Sequence, residues 1–283
     1  MKNFNYFGVM IDCSRNAVPN LQALKRFLEI LAKMGYNCAM LYTEDTYEVE
    51  GQPFFGYKRG KYTIEELQEL DDYAASIGVE MIPCIQTLAH VNALMRWNPY
   101  RKIRDCNDIL LVGDERTYAL IDAMFASLSK SFRSRKIHIG MDEAHMVGLG
   151  KYLDNNGYHN RHEILLSHLN RVCEIARKYG YEPMMWNDMF FRLDLGGEYY
   201  VPKDMRATYH ISKEVCEKVP SDLSGVYWDY YNTDPEVYDV MMARSNELSP
   251  DRVWFAGGAW CWGGFTPHNR YSMRRNAEAI PAC

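Results

Sequence analysis

Short strand-like segments alternate with helical patterns along the whole 283-residue sequence, and this alternation restricts the possible folds more than any other feature. The strand candidates are short runs rich in apolar, β-branched and aromatic residues. They are residues 6–12, 36–42, 79–86, 136–140, 183–187, 206–210, 225–229 and 253–258. Strands separated by helical crossovers predict a parallel α/β sheet, and eight such units predict a closed (β/α)8 barrel, the TIM barrel.

The segments between the strand candidates carry helix signals. Asn20 is a candidate N-cap for a helix whose leucines recur at three- and four-residue spacing, and Gly35 ends it. Thr63 and Glu66 form a capping-box pattern at the start of the next crossover. Further helices are predicted at residues 116–130, 161–179 and 235–247. Because no Gly-x-Gly-x-x-Gly follows the first strand candidate, the pattern does not favour an open dinucleotide-binding sheet.

The length fits one barrel of roughly 250 residues, so no second domain is expected. A last helix begins near Tyr271, shortly before the sequence stops at Cys283. A barrel needs this helix to cover its final strand. We therefore expect a single barrel over residues 1–283 that is truncated at its C-terminus.

The charge and the cysteines limit the partners and the compartment. The formal net charge is −5 and no basic run occurs, which argues against a nucleic-acid or membrane partner. Neither a signal-peptide core nor a bilayer-spanning run is found at the N-terminus. The eight cysteines lack Cys-x-x-Cys spacing, and four are expected to be buried thiols in apolar runs: Cys13, Cys38, Cys84 and Cys261. We expect a cytoplasmic protein.

Two adjacent carboxylates, Asp142 and Glu143, follow the fourth strand candidate directly after a glycine and a methionine. In a (β/α)8 barrel the active site is built at the C-terminal ends of the strands, so this pair is predicted to face a substrate. Other strand ends add charged and aromatic residues to the same rim: Asp12, Arg15, Glu44, Asp45, His90, Trp186, Asp188, His210, Tyr227, Asp229, Trp260 and Trp262. Aromatic rings stack on the apolar face of a sugar and charged groups bind its hydroxyls, so this composition indicates a carbohydrate site.

A metal or cofactor is not expected. His159 and His162 have helical i,i+3 spacing, but no carboxylate of the rim accompanies them in the sequence. Phosphate-bearing cofactors call for a glycine-rich loop, which the sequence does not supply.

Several of these residues resemble the motifs of family 20 glycoside hydrolases, the β-N-acetylhexosaminidases. The His138–Glu143 stretch is similar to the family's His-x-Gly-Gly-Asp-Glu. Further similar positions are Arg15, Thr87 to His90, Trp186 to Asp188, Tyr227 to Asp229, and Gly257-Gly258 with Trp262. The sequence departs from the family in three ways: Met141 replaces the second glycine, no Glu follows Trp262, and no α/β domain precedes the barrel. It most resembles the intracellular subgroup without that domain.

The resemblance implies a single catalytic barrel that removes terminal β-linked GlcNAc or GalNAc from an oligosaccharide with retention. In this family the 2-acetamido oxygen of the substrate attacks the anomeric carbon, so no enzyme nucleophile is needed. Glu143 is then the general acid and base, Asp142 orients the acetamido N–H, and Tyr227 binds the acetamido oxygen. His90, with Glu44 or Asp45, is expected to form a relay behind Glu143.

The sugar ring is expected to meet Arg15, Asp229, Trp186 and Trp262. Two alternatives remain open at this point. One is a barrel that binds amino sugars without turning them over. The other is a conventional retaining glycosidase that uses two separate carboxylates, such as Glu143 and Asp229. The oligomeric state is left open.

Overall fold

The computed structural model describes residues 4–15, 17–262 and 264–283. Residues 1–3, Asn16 and Gly263 lie outside the described residues. Gly263 is the first residue of the Gly-Gly-Phe stretch that follows Trp262. Within the described ranges, seven strands form one parallel sheet in sequential order. They are β1 (Gly8–Asp12), β2 (Cys38–Tyr42), β3 (Glu80–Cys84), β4 (Lys136–His138), β5 (Glu182–Trp186), β6 (Ser224–Asp229) and β7 (Val253–Gly257).

Helices connect the strands and cover the outside of the sheet. They are α1 (Leu21–Lys33), α2 (Ile64–Ser76), α3 (Asn92–Met95), α4 (Glu115–Ser131), α5 (Lys151–Asn156), α6 (Arg161–Lys178), α7 (Asp188–Asp194), α8 (Lys213–Lys218), α9 (Pro235–Leu248) and α10 (Asn269–Ala282). Two short 3-10 helices occur at Asn98–Ile103 and Lys203–Met205. The predicted helices at 116–130, 161–179 and 235–247 are confirmed to within one residue at each end as α4, α6 and α9.

The capping signals act as the sequence predicted. The side chain of Asn20 accepts the backbone N–H of Ala23 at the start of α1. Thr63 and Glu66 form a reciprocal capping box at the start of α2. These bonds satisfy backbone donors that the first turn of a helix leaves free, which fixes where each helix begins. In α1 an apolar stripe of Leu24, Leu28 and Leu31 is buried against the core.

The prediction of a strand at residues 206–210 is wrong. This segment forms a turn after the 3-10 helix, with the backbone N–H of Tyr209 bonded to the carbonyl of Met205. Arg206 pairs outward with Asp234 and Glu236. His210 therefore lies at no strand end, and its imidazole contacts Glu247 of α9. The Thr and Tyr of this run favoured a strand locally, but side-chain contacts with α7 and α9 determine the conformation.

The sheet is curled, and the strand ends are in register. Parallel pairing places Asp12 opposite Tyr42, Tyr42 opposite Cys84, and Cys84 opposite His138. On the outer edges, the ring of Tyr6 before β1 lies 4.7 Å from that of Trp254 in β7. The curl thus brings the first and last strands towards each other and gathers the loops that follow the strands around one mouth.

The C-terminal end differs from the expectation of a barely begun helix. α10 has 14 residues, starts at Asn269 and packs against α9 and β7. The thiol prediction is confirmed for Cys13, Cys38 and Cys84 and is wrong for Cys261, which is exposed. Cys261 lies beyond the end of β7, in the loop before α10. It is therefore outside the part of the sheet that the helices cover.

Candidate active site

The loop after β4 presents Asp142 and Glu143 through a sharp backbone turn. Gly140, Met141 and Glu143 all have positive φ angles, at 74°, 72° and 50°. A Cβ atom on Gly140 would lie 2.0 Å from the side-chain oxygen of Gln86, so only glycine fits there. The turn exposes the two carboxylates unequally. The side chain of Asp142 is 16% exposed and that of Glu143 is 41% exposed.

Asp142 is held by two donors below the rim. Gln86 Nε2 donates to its Oδ1 at 2.7 Å, and His90 Nε2 lies 3.1 Å from its Oδ2. Burial raises the pKa of Asp142, but the hydrogen bonds and charge of His90 together with Gln86 outweigh burial and lower it. Asp142 is therefore an ionised carboxylate in a partly desolvated position.

His90 lies between both carboxylates, with its Nε2 3.7 Å from Glu143 Oε2. Burial lowers the pKa of this imidazole, but Asp142, Glu44 and Glu143 together raise it to about 9. The ring is thus an imidazolium at neutral pH. Its contacts are with Asp142 and Glu143, and Glu44 reaches it only through its charge.

Glu143 has two further neighbours on α7: Asp188, which the sequence placed on the rim, and Arg192, which it did not single out. Asp188 accepts the backbone N–H of Glu143 at 3.1 Å, and Arg192 lies 3.9 Å from Glu143 Oε1. Asp188 and Arg192 bond to each other at 3.0 Å. Burial and the charge of Asp142 raise the pKa of Asp188 well above its usual range. The i,i+4 spacing of Asp188 and Arg192 is the sequence signal that could have indicated this pair.

Glu44 and Asp45, which the sequence did not distinguish, have different surroundings. Glu44 faces the rim, 3.5 Å from Arg15, and accepts a hydrogen bond from Tyr42. Asp45 is buried and pairs with Arg59 at 3.1 Å. Arg15 also contacts Asp12 at 3.2 Å, and its side chain is 57% exposed. Arg15 and Glu44 therefore share one edge of the mouth, whereas Asp45 lies beneath it.

Tyr227 and Asp229 project from the same side of β6, as strand alternation predicts. The Tyr227 hydroxyl donates to Asp229 Oδ2 at 2.7 Å, and Tyr227 is fully buried. Asp229 also accepts from Tyr200, from the Asn232 side chain and from two backbone N–H groups of the following turn. Both residues are thus engaged within the protein, and their predicted roles towards a sugar stay predictions.

The tryptophans of the rim divide into buried and exposed ones. Trp186 is 4% exposed and packs its ring against His138 at 4.3 Å between centroids. Trp228 is also buried, because its alternate position on β6 turns it away from the side shared by Tyr227 and Asp229. Trp262 is 48% exposed, stacks on Trp260 at 5.6 Å and meets Tyr230 edge-on at 5.1 Å. An exposed ring supported by two others is a suitable platform for the apolar face of a sugar.

The arrangement combines a presented carboxyl group with an ionised carboxylate and an imidazolium next to it. Such a site can transfer a proton at Glu143 while Asp142 offsets positive charge that develops on a bound molecule. In the described part of the chain, no group of three or more His, Cys, Asp or Glu side chains is arranged to hold a metal. Of the helices described, none is both long and apolar enough to cross a bilayer.

The sequence profile of the family described as "Glycosyl hydrolase family 20, catalytic domain" matches residues 4–236. This chain belongs to glycosyl hydrolase family 20. Hexosaminidase D of Homo sapiens is 23% identical over 254 residues, which cover 86% of this chain and 49% of that protein. A β-hexosaminidase of Vibrio furnissii is 30% identical over 177 residues, 50% of this chain and 29% of that protein. The chain thus spans about half the length, or less, of these relatives.

Solved structures of family 20 share the fold. An exo-β-N-acetylglucosaminidase from Vibrio harveyi, in complex with N-acetylglucosamine, superposes with a TM-score of 0.67 at 17% identity, covering 91% of this chain and 42% of that one. A β-N-acetylhexosaminidase from Bacteroides fragilis gives the same TM-score and identity over 95% of this chain and 53% of that one. The predicted α/β barrel class of the (β/α)8 type is confirmed, with seven of its strands described in this chain.

Proposed function

We propose that this protein is an exo-acting β-N-acetylhexosaminidase that removes terminal β-linked GlcNAc or GalNAc with retention of configuration. The observation that carries the proposal is the unequal carboxylate pair, in which Glu143 is presented to the mouth and Asp142 is held ionised by Gln86 and His90. Relatives of this chain in family 20 are named as hexosaminidases or as an exo-β-N-acetylglucosaminidase, and these names support the same activity.

The reaction proceeds in two steps. First the carbonyl oxygen of the 2-acetamido group attacks the anomeric carbon, while Glu143 donates its proton to the glycosidic oxygen and the leaving alcohol departs. Positive charge then develops on the acetamido group, and the Asp142 carboxylate accepts its N–H and offsets that charge. In the second step the Glu143 carboxylate removes a proton from water, and the water opens the cyclic intermediate at the anomeric carbon.

The remaining rim residues bind the sugar in this proposal. Arg15 and Glu44 take hydroxyl groups at one edge of the mouth, and Trp262 supports the apolar face of the ring. Trp186 and Asp229 line the base of the pocket. The hydroxyl that binds the acetamido oxygen comes from a tyrosine of β6 or of the turn after it, and the family motif assigns it to Tyr227. His90 keeps Asp142 and Glu143 in place, with Asp45 buried behind it. We also propose that residues 1–283 form a single catalytic unit and that the reaction uses no cofactor.

Substrate assistance is favoured over a conventional pair of carboxylates by the surroundings of Asp229. A retaining enzyme with its own nucleophile needs the second carboxylate free to bond the anomeric carbon. Asp229 is 1% exposed and accepts five hydrogen bonds from the protein. It is therefore already occupied as an acceptor.

The proposed compartment is the cytoplasm, and the proposed role is in carbohydrate metabolism. All eight cysteines lie among the described residues, and all are free thiols. Free thiols persist in a reducing compartment.

Substrate choice and one variant test the activity. We expect turnover of chromogenic β-GlcNAc or β-GalNAc and almost none of the matching β-glucoside, which lacks the acetamido group. Glu143→Gln is expected to abolish hydrolysis of alkyl glycosides, whose leaving groups need a proton, and to spare activated aryl glycosides more. A thiazoline that mimics the cyclic intermediate should inhibit far more tightly than GlcNAc.

Four results would contradict the proposal. Efficient β-glucoside hydrolysis, or a covalent glycosyl adduct on a carboxylate seen by mass spectrometry, would replace substrate assistance with an enzyme nucleophile. Equal losses on alkyl and activated aryl substrates would remove Glu143 from the acid role. Binding of GlcNAc without any hydrolysis would favour the amino-sugar-binding barrel.

A further inference from the structure

Asp188 is a buried carboxylate that the proposed reaction does not use. It is the first residue of α7, its side chain is 0% exposed, and the negative charge of Asp142 acts on it. Burying a carboxylate is costly unless its contacts repay the lost hydration. Its Oδ2 carries two bonds, one from the backbone N–H of Glu143 and one from Arg192 Nε, while its Oδ1 has no partner among the described residues. The contacts of Asp188 thus converge on Glu143.

The first contact holds a strained backbone. Glu143 has a φ angle of 50°, in the left-handed region that residues other than glycine rarely occupy. Such a conformation persists only where surrounding contacts fix it. The Asp188 carboxylate supplies one of these contacts at the very residue that presents the proposed acid, so a change at Asp188 alters where the Glu143 carboxyl group points.

The second contact holds a cation close to the acid. Arg192 lies 3.9 Å from Glu143 Oε1, which is longer than a hydrogen-bonded ion pair. Its guanidinium is restrained by the Asp188 carboxylate at 3.0 Å, by the carbonyl of Gly197 at 3.0 Å, and by the ring of Tyr199 beneath it at 5.2 Å. Asp188 therefore keeps Arg192 about one ångström short of a direct bond to the acid.

We propose that Asp188 and Arg192 are positioning residues for the general acid. Asp188 fixes the backbone of Glu143 and restrains Arg192, so that Glu143 keeps a proton to donate instead of forming an ion pair with Arg192. This inference rests on the proposed function, in which Glu143 is the acid. It adds two residues of α7 to the groups that determine the pH range of the reaction.

Other charged and titratable groups also face this cluster, and they stay unchanged in the test. They are His90 after β3, Asp142 and His145 in the β4 loop, Tyr199 after α7, and Tyr230 and Tyr231 after β6. The comparison of two variants within this constant background isolates the Asp188 and Arg192 contributions.

The test is the pH profile of kcat/KM for an alkyl β-GlcNAc glycoside, measured for Asp188→Asn and Arg192→Gln. The basic limb of this profile reports loss of the proton from the acid. In Asp188→Asn the amide oxygen can still accept the N–H groups of Glu143 and Arg192, but the loss of the negative charge weakens its hold on the guanidinium. Arg192 then closes on Glu143, and the limb moves to lower pH by about one unit. Removal of the cation in Arg192→Gln moves the limb to higher pH. Both changes should lower kcat more than they raise KM.

Asp194→Asn is the matched control. Asp194 lies at the other end of α7 and pairs with His162 at 3.2 Å and with the Tyr209 hydroxyl at 3.0 Å. This variant removes the same charge from the same helix without touching Glu143, and it should leave the profile unchanged. A purely structural effect would lower the activity and the melting temperature of both variants. It would not move the basic limbs of Asp188→Asn and Arg192→Gln in opposite directions.

The outcomes separate the two proposals. Opposite shifts of the basic limb support the positioning role. Shifts in the same direction, or none, overturn it, and the acid role of Glu143 stands if Glu143→Gln still loses alkyl glycoside hydrolysis. If Glu143→Gln hydrolyses alkyl glycosides like the wild type, the proposed function fails instead. Should Asp188→Asn lose its native circular dichroism spectrum, Arg192→Gln decides alone, with an unmoved limb counting against the inference.

Discussion

Asp142 illustrates how single contacts decide the chemistry of a residue. Its neighbour in sequence is Glu143, yet only Asp142 receives both the amide of Gln86 and the ring of His90. The difference arises from the turn at Gly140, which directs one side chain inward and the other towards the mouth. Two carboxylates of similar intrinsic acidity can therefore take different roles because their surroundings differ.

The tyrosine that binds the acetamido oxygen can be identified by a pair of variants. The motif assigns Tyr227, whose buried hydroxyl already donates to Asp229. Tyr230 is half-buried, stacks on Trp228 at 5.2 Å, and has no hydrogen-bond partner for its hydroxyl among the residues described. Burial and the charges of Asp142, Asp188 and Glu143 raise the pKa of Tyr230, which places it near the carboxylates.

We therefore expect Tyr230→Phe to lower kcat for an aryl β-GlcNAc glycoside by about tenfold, the effect of one lost transition-state hydrogen bond. Tyr227→Phe is expected to act mainly on stability, because it leaves Asp229 short of one donor. Steady-state kinetics and thermal melting of both variants make the comparison. A larger kcat loss in Tyr227→Phe, with unchanged melting, would restore the role that the motif assigned to Tyr227.

At the scale of elements, the loops after β2, β3 and β4 contain much of the strained backbone of the molecule. Within six residues of these strand ends, four residues other than glycine adopt positive φ angles: Glu44, His90, Met141 and Glu143. Three of them carry the charges of the candidate site. Strain of this kind is found where function fixes a side chain at the cost of local stability. The helices behind these loops are regular and capped, which gives the loops a rigid support.

Met141 provides a test of this strain, because the family motif has glycine at its position. Met141 has a φ angle of 72° and is fully buried. Both Met141→Ala and Met141→Gly remove the buried side chain, at a cost of several kcal/mol. In ordinary backbone Gly is the less stable of the two, but a left-handed conformation costs alanine about 1–2 kcal/mol.

We accordingly expect Met141→Gly to be more stable than Met141→Ala by about 1 kcal/mol. Urea denaturation of the two variants measures this difference, and the loss of the side chain beyond Cβ, which both variants share, cancels from it. If Met141→Ala proved the more stable variant, the strain assigned to this loop would not exist.

For the whole molecule, buried histidines set the pH range of stability. His138 and His168 are both fully buried, and burial lowers the pKa of each to about 4. An unfolded histidine takes up its proton near pH 6.5. Between pH 6.5 and pH 4 the unfolded state therefore binds protons that the folded state does not bind. Each ring therefore contributes stability above pH 6.5 that is lost as the pH falls towards 4.

His90 acts in the opposite direction. Its folded pKa of about 9 lies above that of the unfolded chain, so its pairing with Asp142 is fully present below pH 6.5 and is lost as the pH rises through 9. As far as these rings contribute, stability should be highest near pH 6.5. For His138 and His168, the lowered pKa of each buried ring corresponds to about 3 kcal/mol of stability at most.

We expect the free energy of unfolding to fall between pH 6.5 and pH 4.5, and His168→Gln to reduce this fall by about 2 kcal/mol. Urea denaturation at the two pH values measures the change. His159→Gln is the matched control, because His159 is exposed and its replacement should leave the slope as it is. An identical acid slope in wild type and His168→Gln would show that burial of His168 does not hold it neutral.

The sequence by itself determined the local elements and the position of the carboxylate pair. Capping residues such as Asn20 and Thr63 act within four residues of their partners, so their effect is contained in the sequence pattern. The carboxylates after β4 were predicted because strands of a parallel barrel end on one face, and the structure does present Asp142 and Glu143 after that strand.

Only the tertiary structure decided which side chains meet across the mouth. Residues 206–210 have strand-like composition, yet contacts of Arg206 and Tyr209 with distant helices and loops hold them in a turn. The partners of Asp142 come from the end of β3 and its loop, and Glu143 contacts His90 of that loop together with two residues of α7. These contacts join positions some 45 to 56 residues apart. They depend on the register of neighbouring strands and on burial, which no local spacing in the sequence specifies.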